Sequence, residues 1–250
     1  MGGLTEWHLE GHAPLALSQD SQGRELTRST RDGFSVASAW DSAGQLVSQN
    51  GTGVGRQYDW SRAFEPKSIT DTRWGTKLYD NDENGQIIQT THGDGGQERF
   101  GYTPDLNIAA TTSDTDRFVN WQTTAAGVVK IAHGPRGAVV TIEHDACGRV
   151  IKRSVVRKGF RPQTWVFGWN AMDQMVSADC PDGAVWHYTY DPFGRRIAKY
   201  SKSTRHDFLW DGDVIARETV NGHAIDWFFE PGNFRPLARL ENGQLSYVVT

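Results

Sequence analysis

Apolar and polar residues alternate along much of this chain with a period of two, which is the pattern of half-buried β-strands. From Trp186 to Tyr190 an aromatic side chain stands at every second position, so one face is predicted to be apolar and the other to carry His187 and Thr189. The next four residues, Asp191-Pro192-Phe193-Gly194, favour a chain reversal, because Asp bonds its own backbone, Pro fixes φ and Gly accepts a positive φ. Residues 195–199 resume the alternation. The stretch therefore predicts a strand, a tight turn and a second strand.

Versions of this unit recur along the chain at a period near 21 residues, which is typical of a repeat architecture. The residues that we assign to the structural motif in the best copies are Trp40, Asp41, Gly44, Asp82, Gly85, His144, Asp145, Gly148, Tyr190, Asp191, Gly194 and Arg195. Degenerate copies are anchored at Arg62, Leu106, Gly127 and Asp173. We expect about eight repeats over residues 36–250, preceded by a poorly defined β segment over residues 1–35.

Strong turn signals join the strands of the last third of the chain. Asp211-Gly212, Asn221-Gly222 and Asn242-Gly243 favour the type I′ geometry that connects neighbouring antiparallel strands. Two-stranded units cannot bury an apolar face alone, so neighbouring units must associate. The predicted fold is all-β, with repetitive antiparallel hairpins forming a curved or spiralling sheet, because strands twist with one hand.

Composition limits the classes of function. The 250 residues carry a net charge of -4, which argues against a general nucleic-acid binder. The one basic cluster, from Arg149 to Arg161, alternates with apolar residues and predicts a hairpin with a solvated charged face that turns near Lys158-Gly159. No apolar run is long enough to cross a bilayer, and no signal peptide is recognisable, so we expect no membrane insertion.

Candidate chemistry is sparse. Cys147 and Cys180 form neither a zinc motif nor a C-x-x-C motif, and two reduced thiols are expected. The segment from Asp80 to Gly85 resembles the first half of a calcium-binding loop, but Thr91 stands where the bidentate Glu is required, so a turn is the better interpretation. We therefore predict no catalytic residue, no cofactor and no metal.

The repeated Tyr-Asp-x-x-Gly-Arg pattern resembles the YD repeat of bacterial Rhs proteins, TccC-type toxin-complex components and teneurins. The resemblance is strongest over residues 140–250, where Phe208-Leu209-Trp210-Asp211-Gly212-Asp213 and Phe229-Glu230-Pro231-Gly232 follow the repeat at Tyr190. The stretch from Asp191 to Gly194 has the letters of the family's self-cleavage motif, but Arg195 follows where the family has an apolar residue. We assign that stretch to a repeat turn.

The resemblance implies a structural segment of a hollow β shell that encloses a C-terminal toxin polypeptide, with no enzymatic role of its own. The implied partners are the toxin, the remaining shell segments and secretion-apparatus proteins. The implied localisation is cytoplasmic before export, followed by secretion through a specialised system. A complete shell needs several times as many repeats, and we expect the toxin domain to lie outside this chain. A carbohydrate-binding cell-surface module and a β-propeller-like enzyme, with four-stranded blades, remain alternatives.

Overall fold

The computed structural model describes residues 3–104, 106, 108–113, 119–124, 127–134 and 137–249. Within these described residues the chain forms 24 β-strands and no α-helix. It divides into two compact units, residues 1–117 and 118–250, and each unit contains one sheet. The prediction of an all-β fold made of antiparallel hairpins is confirmed.

The first unit holds an 11-stranded sheet. Its strands are β1 Glu6–Trp7, β2 Leu15–Gln19, β3 Glu25–Ser29, β4 Ser35–Trp40, β5 Leu46–Gly51, β6 Val54–Trp60, β7 Pro66–Asp71, β8 Gly75–Asn81, β9 Ile87–Thr91, β10 Gln97–Tyr102 and β11 Ile108–Ser113. β2 and β3, from the segment that the sequence left poorly defined, pair within this sheet.

The second unit holds a 13-stranded sheet. Its strands are β12 Val119–Thr123, β13 Val129–His133, β14 Val139–His144, β15 Val150–Val156, β16 Gln163–Trp169, β17 Met175–Asp179, β18 Val185–Tyr190, β19 Arg196–Tyr200, β20 Arg205–Asp211, β21 Val214–Val220, β22 His223–Phe229, β23 Pro236–Glu241 and β24 Gln244–Tyr247. The hairpin predicted to turn near Lys158-Gly159 is β15 and β16, which pair antiparallel.

In both sheets each strand pairs antiparallel with the next strand along the chain. Connections after even-numbered strands therefore share one edge of a sheet, and connections after odd-numbered strands share the opposite edge. We call the first set the motif turns, because the copies of the Asp-x-x-Gly motif lie in this set, and we call the second set the return turns. Two return turns, at Asn221-Gly222 and Asn242-Gly243, have positive φ at both residues, as the predicted type I′ geometry requires.

A β-bulge follows the motif turns at a constant place. In the hairpin of β18 and β19, Thr189 pairs with Ala198 and Tyr190 with Arg196, so Ile197 has no cross-strand partner. The corresponding unpaired residues of other hairpins are Leu26, Val47, Lys67, Ile88, Ile151, Val176, Ala216 and Leu237. A bulge bends its strand and increases the local right-handed twist. The repeat therefore delivers the same local distortion once per period.

The two faces of the 13-stranded sheet differ in chemistry, because residues paired across strands share a face. The registers place ten aromatic residues on one face: Trp165, Phe167, Trp169, Trp186, Tyr188, Tyr190, Phe208, Trp210, Trp227 and Phe229. The opposite face carries polar pairs such as Glu143 with Lys152 and Ser154 with Thr164. The alternation predicted for β18 is confirmed, since Trp186, Tyr188 and Tyr190 are half-buried while the residues between them are exposed.

Leu237 and Ala238 are the most deeply buried residues of the second unit, with relative exposures of 0%. Ala132, Val140 and Val155 form a cluster with relative exposures of 3–5%, and Ile142 and Trp165 pack against it. In the first unit the buried set includes Leu15 and Leu17 together with an ion pair between Arg28 and Glu25.

Candidate functional site

The motif turn is the feature that recurs, and its geometry is clearest at Asp191. The Asp191 backbone N–H donates to the Arg195 carbonyl at 2.9 Å, and the Gly194 N–H donates to the Asp191 carbonyl at 3.0 Å. The Asp191 carboxylate closes the turn from inside, because its Oδ1 accepts the backbone N–H groups of Phe193 and Arg195, both at 2.9 Å. Its Oδ2 accepts the Arg195 Nε at 2.7 Å. One side chain thus satisfies two turn amides and one guanidinium.

The other motif turns repeat this arrangement. In six further turns the side chain at the aspartate position accepts the same two backbone N–H groups. These acceptors are Asp20, Asp41, Ser61, Asp82, Asp145 and Asn170. The Asp82 carboxylate therefore accepts backbone N–H groups of its own turn, and this turn accounts for the residues that resemble a calcium-binding loop. The turn interpretation of the stretch at Asp191 follows from the same bonds.

The position three residues after the aspartate has a positive φ in the described copies. Gly194 has a φ of 83°, which glycine adopts without steric cost. Degenerate copies place Phe64, Leu106 and Asp173 there with φ values of 66°, 64° and 59°. The anchor predicted at Arg62 was wrong by two residues, because Ser61 takes the aspartate position and Phe64 the glycine position. The Tyr58-Asp59 pair, which imitates the motif, lies inside β6.

In three motif turns an arginine follows the glycine and connects that turn to the next one. Arg149 donates through Nε to Asp145 Oδ2 at 2.6 Å, and its Nη1 donates to the Asn170 carbonyl of the next motif turn at 3.1 Å. Its guanidinium also lies over the Trp169 ring, 5.9 Å from the centroid. Arg24 and Arg195 make the same three kinds of contact with their neighbouring turns. The motif turns thus form a ladder along the sheet edge.

The residue before the aspartate completes the ladder on the strand side. Tyr190 donates its hydroxyl to the Met175 carbonyl at 2.8 Å, and Met175 lies five residues after the aspartate position of the preceding motif turn. The same bond, to the same position of the preceding repeat, is donated by Trp40, Trp60, Asn81, Tyr102, Trp169 and Trp210. This geometry explains why the repeat pairs an aspartate with an aromatic residue that has a polar tip.

Sequence reasoning located the motif residues but missed what the residue after the glycine touches. A Cβ atom added to Gly194 would lie 3.5 Å from the Gln174 side chain, and one added to Gly44 would lie 3.4 Å from Arg24. In each case the neighbour is the residue that follows the glycine position of the preceding repeat. Aligning the copies would have shown a long polar side chain at this position in Arg24, Glu65, Gln86, Arg149, Gln174 and Arg195.

Electrostatics follow from the same contacts. The Arg149 guanidinium lowers the pKa of Asp145 below its ordinary value of 3.8, helped by the backbone N–H groups of Arg149 and Cys147 and opposed by burial. Burial would raise the pKa of Asp191, but the Arg195 backbone N–H and guanidinium outweigh it, so that pKa is also lowered. These carboxylates are therefore held in the charged form, as an ion-pair ladder requires.

A cleft of 770 Å³ beside the motif turn at Asp145 offers little free chemistry. Its lining includes Glu143, His144 and Asp145 beside Ile131 and Ile142. Asp145 is committed to its turn and to an arginine, and Glu143 pairs with a lysine at 2.8 Å. Neither carboxylate is positioned as a free acid or base, and no group of three or more metal-binding side chains is found in the described residues.

The two cysteines lie at opposite edges of the second sheet. Cys147 is exposed in the motif turn before β15, and Cys180 begins the return turn before β18. Strands of this length separate the edges by roughly 20 Å, which exceeds the reach of a disulfide. Burial, followed by the nearby charges of Asp182 and Asp179, raises the pKa of the Cys180 thiol.

Among the described residues, no helix has the length and apolar character to span a membrane.

Comparison with known proteins identifies relatives by sequence. No family model matches the chain. It is 31% identical over 231 residues to the probable deoxyribonuclease RhsB of Dickeya dadantii strain 3937, and 30% identical to RhsA of the same organism. It is also 25% identical over 255 residues to double-stranded DNA deaminase toxin A of Burkholderia cenocepacia strain H111. These alignments cover 86–90% of this chain.

The chain spans only 15% of the length of the two Rhs relatives and 17% of the deaminase toxin. Among solved structures, the crystal structure of TcdB2-TccC3-TEV matches 94% of this chain and 13% of that chain, with 13% identity and a TM-score of 0.44. The fold and the motif ladder define a protein built from antiparallel β-hairpin repeats that are linked turn to turn. The chain belongs to the Rhs family, whose YD repeats these hairpins are.

Proposed function

We propose that this chain is a wall segment of an Rhs-type toxin container, enclosing and helping to deliver a toxin polypeptide that lies outside it. The observation that carries the proposal is the ladder itself, in a chain related to RhsB and RhsA. Side-chain hydrogen bonds join neighbouring repeats, and ion pairs and ring contacts reinforce them at Arg24, Arg149 and Arg195. Such contacts give a sheet continuity rather than a reactive centre. The wall acts by covering the toxin, and it performs no chemistry.

The names of the relatives support a division of labour. One relative is named a deoxyribonuclease and another a DNA deaminase toxin, yet both match most of this chain. A stretch shared by proteins named for different chemistries supplies neither chemistry by itself. We therefore place any toxin activity in the remaining length of such proteins and assign no catalytic residue to this chain.

The proposal also includes partners and an export route. The partners are the toxin polypeptide and further shell segments, with secretion-apparatus proteins during export. The chain would be cytoplasmic before export and would leave through a specialised system. The test is mass spectrometry of the protein purified from the cells that produce it. A toxin polypeptide that co-purifies with this chain, or that was cleaved from the same polypeptide, supports the proposal. Its consistent absence argues against it.

Carbohydrate binding is the second candidate function, and one exposed aromatic residue favours it. Trp74 is 72% exposed in the return turn before β8, and sugar rings stack on such side chains. Arg73 already lies over this ring at 5.1 Å, and Arg153 and Arg196 cover Trp165 and Tyr188 in the second sheet. Reproducible glycan-array binding that Trp74→Ala abolishes would favour the carbohydrate module over containment. A propeller enzyme is disfavoured, since its blades have four strands and these sheets have 11 and 13.

A further inference from the structure

One return turn of the second sheet differs from its neighbours in length and charge. Residues 157–162 connect β15 to β16, and these six residues are the longest connection on that edge of the second sheet. All six are exposed. Arg157, Lys158 and Arg161 place three cations on the loop, and the Phe160 N–H donates to the Arg157 carbonyl at 3.1 Å, which folds it into a tight tip. We call residues 157–162 the basic loop.

The loop cations lack the carboxylate partners that other arginines of this sheet have. Ion pairs are formed by Arg149, Arg195, Arg205, Arg217, Arg235 and Arg239. Across the described part of the chain, Arg157, Lys158 and Arg161 form no ion pair. In a chain with a net charge of -4, this loop is a local concentration of unneutralised positive charge. Unpaired cations attract an external anionic surface at low ionic strength.

An exposed apolar side chain accompanies the cations. Phe160 at the tip is 75% exposed, and Val156 at the base of the loop is 45% exposed. Aromatic rings are enriched at the headgroup level of membranes, where a ring enters the apolar boundary while nearby lysines and arginines contact anionic headgroups. Single-stranded nucleic acid is instead bound in a positively charged groove lined by several rings. The cleft beside the single ring of this loop has a volume of 110 Å³.

We propose that the basic loop is a peripheral docking site for an anionic lipid surface. Phe160 enters the headgroup region, and Arg157, Lys158 and Arg161 contact the anionic headgroups. This surface is separate from the motif turns, because the loop lies at the opposite edge of the sheet. The inference goes beyond containment, and it holds or fails independently of what the chain encloses.

The test is co-sedimentation of the full chain with vesicles of phosphatidylcholine and phosphatidylserine in about equal amounts, against vesicles of phosphatidylcholine alone. Each cation near such a surface contributes roughly five-fold to binding, so we expect R157S/K158S/R161S to lower the partition coefficient about 100-fold. Raising the salt from about 0.1 M to about 1 M shortens the Debye length from about 10 Å to about 3 Å and should release the wild-type chain. Far-ultraviolet circular dichroism checks that each variant keeps its strands.

Two control variants separate the loop from general effects. R31S/R62S/K202S removes the same charge from three exposed positions on separate turns and should retain binding within about two-fold of the wild type. Phe160→Ser should weaken binding, whereas Phe193→Ser, which alters an equally exposed ring on a motif turn, should not.

Three outcomes would overturn the proposal. The first is no preference for phosphatidylserine at low salt. The second is an equal loss of binding in R31S/R62S/K202S, which would assign the effect to net charge. The third is tighter binding to single-stranded DNA than to the anionic vesicles, with the DNA binding lost in Phe160→Ser, which would assign the loop to nucleic acid.

Discussion

At the scale of single residues, the motif turns at Asp145 and Asp191 each depend on a carboxylate whose pKa is lowered by donors of its own turn. The pKa of Asp145 is lowered below 3.8, so this group stabilises the folded state fully above the unfolded value. The stabilisation is lost as the pH falls through the folded pKa, because the protonated acid no longer pairs with Arg149. The stability contributed by Asp145 should therefore change with pH below about 3.8.

Asp145→Asn tests this dependence, because the amide can still accept the turn N–H groups but cannot pair with Arg149 as an anion. We expect the variant to be less stable than the wild type at neutral pH and the difference to shrink as the pH falls below 3.8. Urea denaturation followed by circular dichroism at several pH values measures it. A stability difference that stays constant from neutral to strongly acidic pH would contradict the assignment.

The glycine position predicts a stabilising substitution. Phe64 holds a φ of 66° while its side chain is 62% exposed, so it carries backbone strain with little burial in return. A left-handed conformation costs a non-glycine residue about 1–2 kcal/mol. Glycine removes this cost but increases the conformational entropy of the unfolded chain, which offsets part of the gain. We therefore expect Phe64→Gly to raise the free energy of unfolding by about 0.5–1 kcal/mol. The urea midpoint should rise. Gly44→Ala is the reciprocal control and should lower it, and a fall in both variants would refute the strain argument.

The hydroxyl of Tyr190 predicts a loss that its neighbour does not share. Tyr190 donates to the Met175 carbonyl at 2.8 Å, so Tyr190→Phe should cost about 1 kcal/mol by leaving that carbonyl without its partner. Tyr188 lies on the same strand and face, and its ring is covered by Arg196. Tyr188→Phe should therefore change the unfolding free energy by less than about 0.5 kcal/mol. Equal losses in the two variants would show that the hydrogen bond contributes nothing specific.

At the scale of elements, Arg195 joins two hairpins through three contacts that need a planar guanidinium. It bonds Asp191 and the Gly212 carbonyl and lies over the Trp210 ring at 5.8 Å. Arg195→Lys keeps the charge but cannot reproduce the fork, so we expect a clear fall in the urea midpoint and faster amide exchange in β20.

Arg205→Lys is the matched control for that prediction. Arg205 pairs with Asp207 on the exposed surface and lies over the Tyr200 ring at 5.5 Å, but no bond from its side chain to a motif turn is found in the described residues. Exposed pairs of this kind contribute little to stability. Its substitution should leave the midpoint and the exchange rates in β20 nearly unchanged. Similar effects of the two lysine variants would show that the link between hairpins is no stronger than a surface ion pair.

The hairpins were predictable because their signals are local. Alternation in β18 and the Asn-Gly turns each follow from a few adjacent residues, and the period near 21 residues follows from comparing the copies. The type I′ geometry predicted at Asp211-Gly212 was wrong, because Gly212 has a positive φ and Asp211 does not. The degenerate copy at Ser61 was misplaced for two reasons. Tyr58-Asp59 imitates the motif within a strand, and Phe64 has a positive φ that its residue type does not predict. The bulge at Ile197 and the reach of Arg195 were not foreseen, since both depend on the register of a neighbouring strand. The start of the repeat region at residue 36 stays a prediction.

At the scale of the whole molecule, the ladder suggests how a large covering sheet remains continuous. The described repeats combine a bulge, a turn closed by an Asp, Asn or Ser side chain, and a hydrogen bond from a Trp, Tyr or Asn side chain to the preceding repeat. Neighbouring repeats therefore hold one another in register. A uniform distortion repeated many times makes a sheet coil. We expect the remaining repeats of a longer Rhs protein to extend this pattern into a closed wall.

Protease protection of an enclosed polypeptide tests containment most directly. The protein is isolated from its producing cells and treated with a nonspecific protease, first intact and then after unfolding in urea, and the fragments are followed by mass spectrometry. Containment predicts a second polypeptide that survives while the strands are folded and is degraded once they unfold. Containment would be contradicted if the co-purifying polypeptide were digested equally fast whether the strands are folded or unfolded.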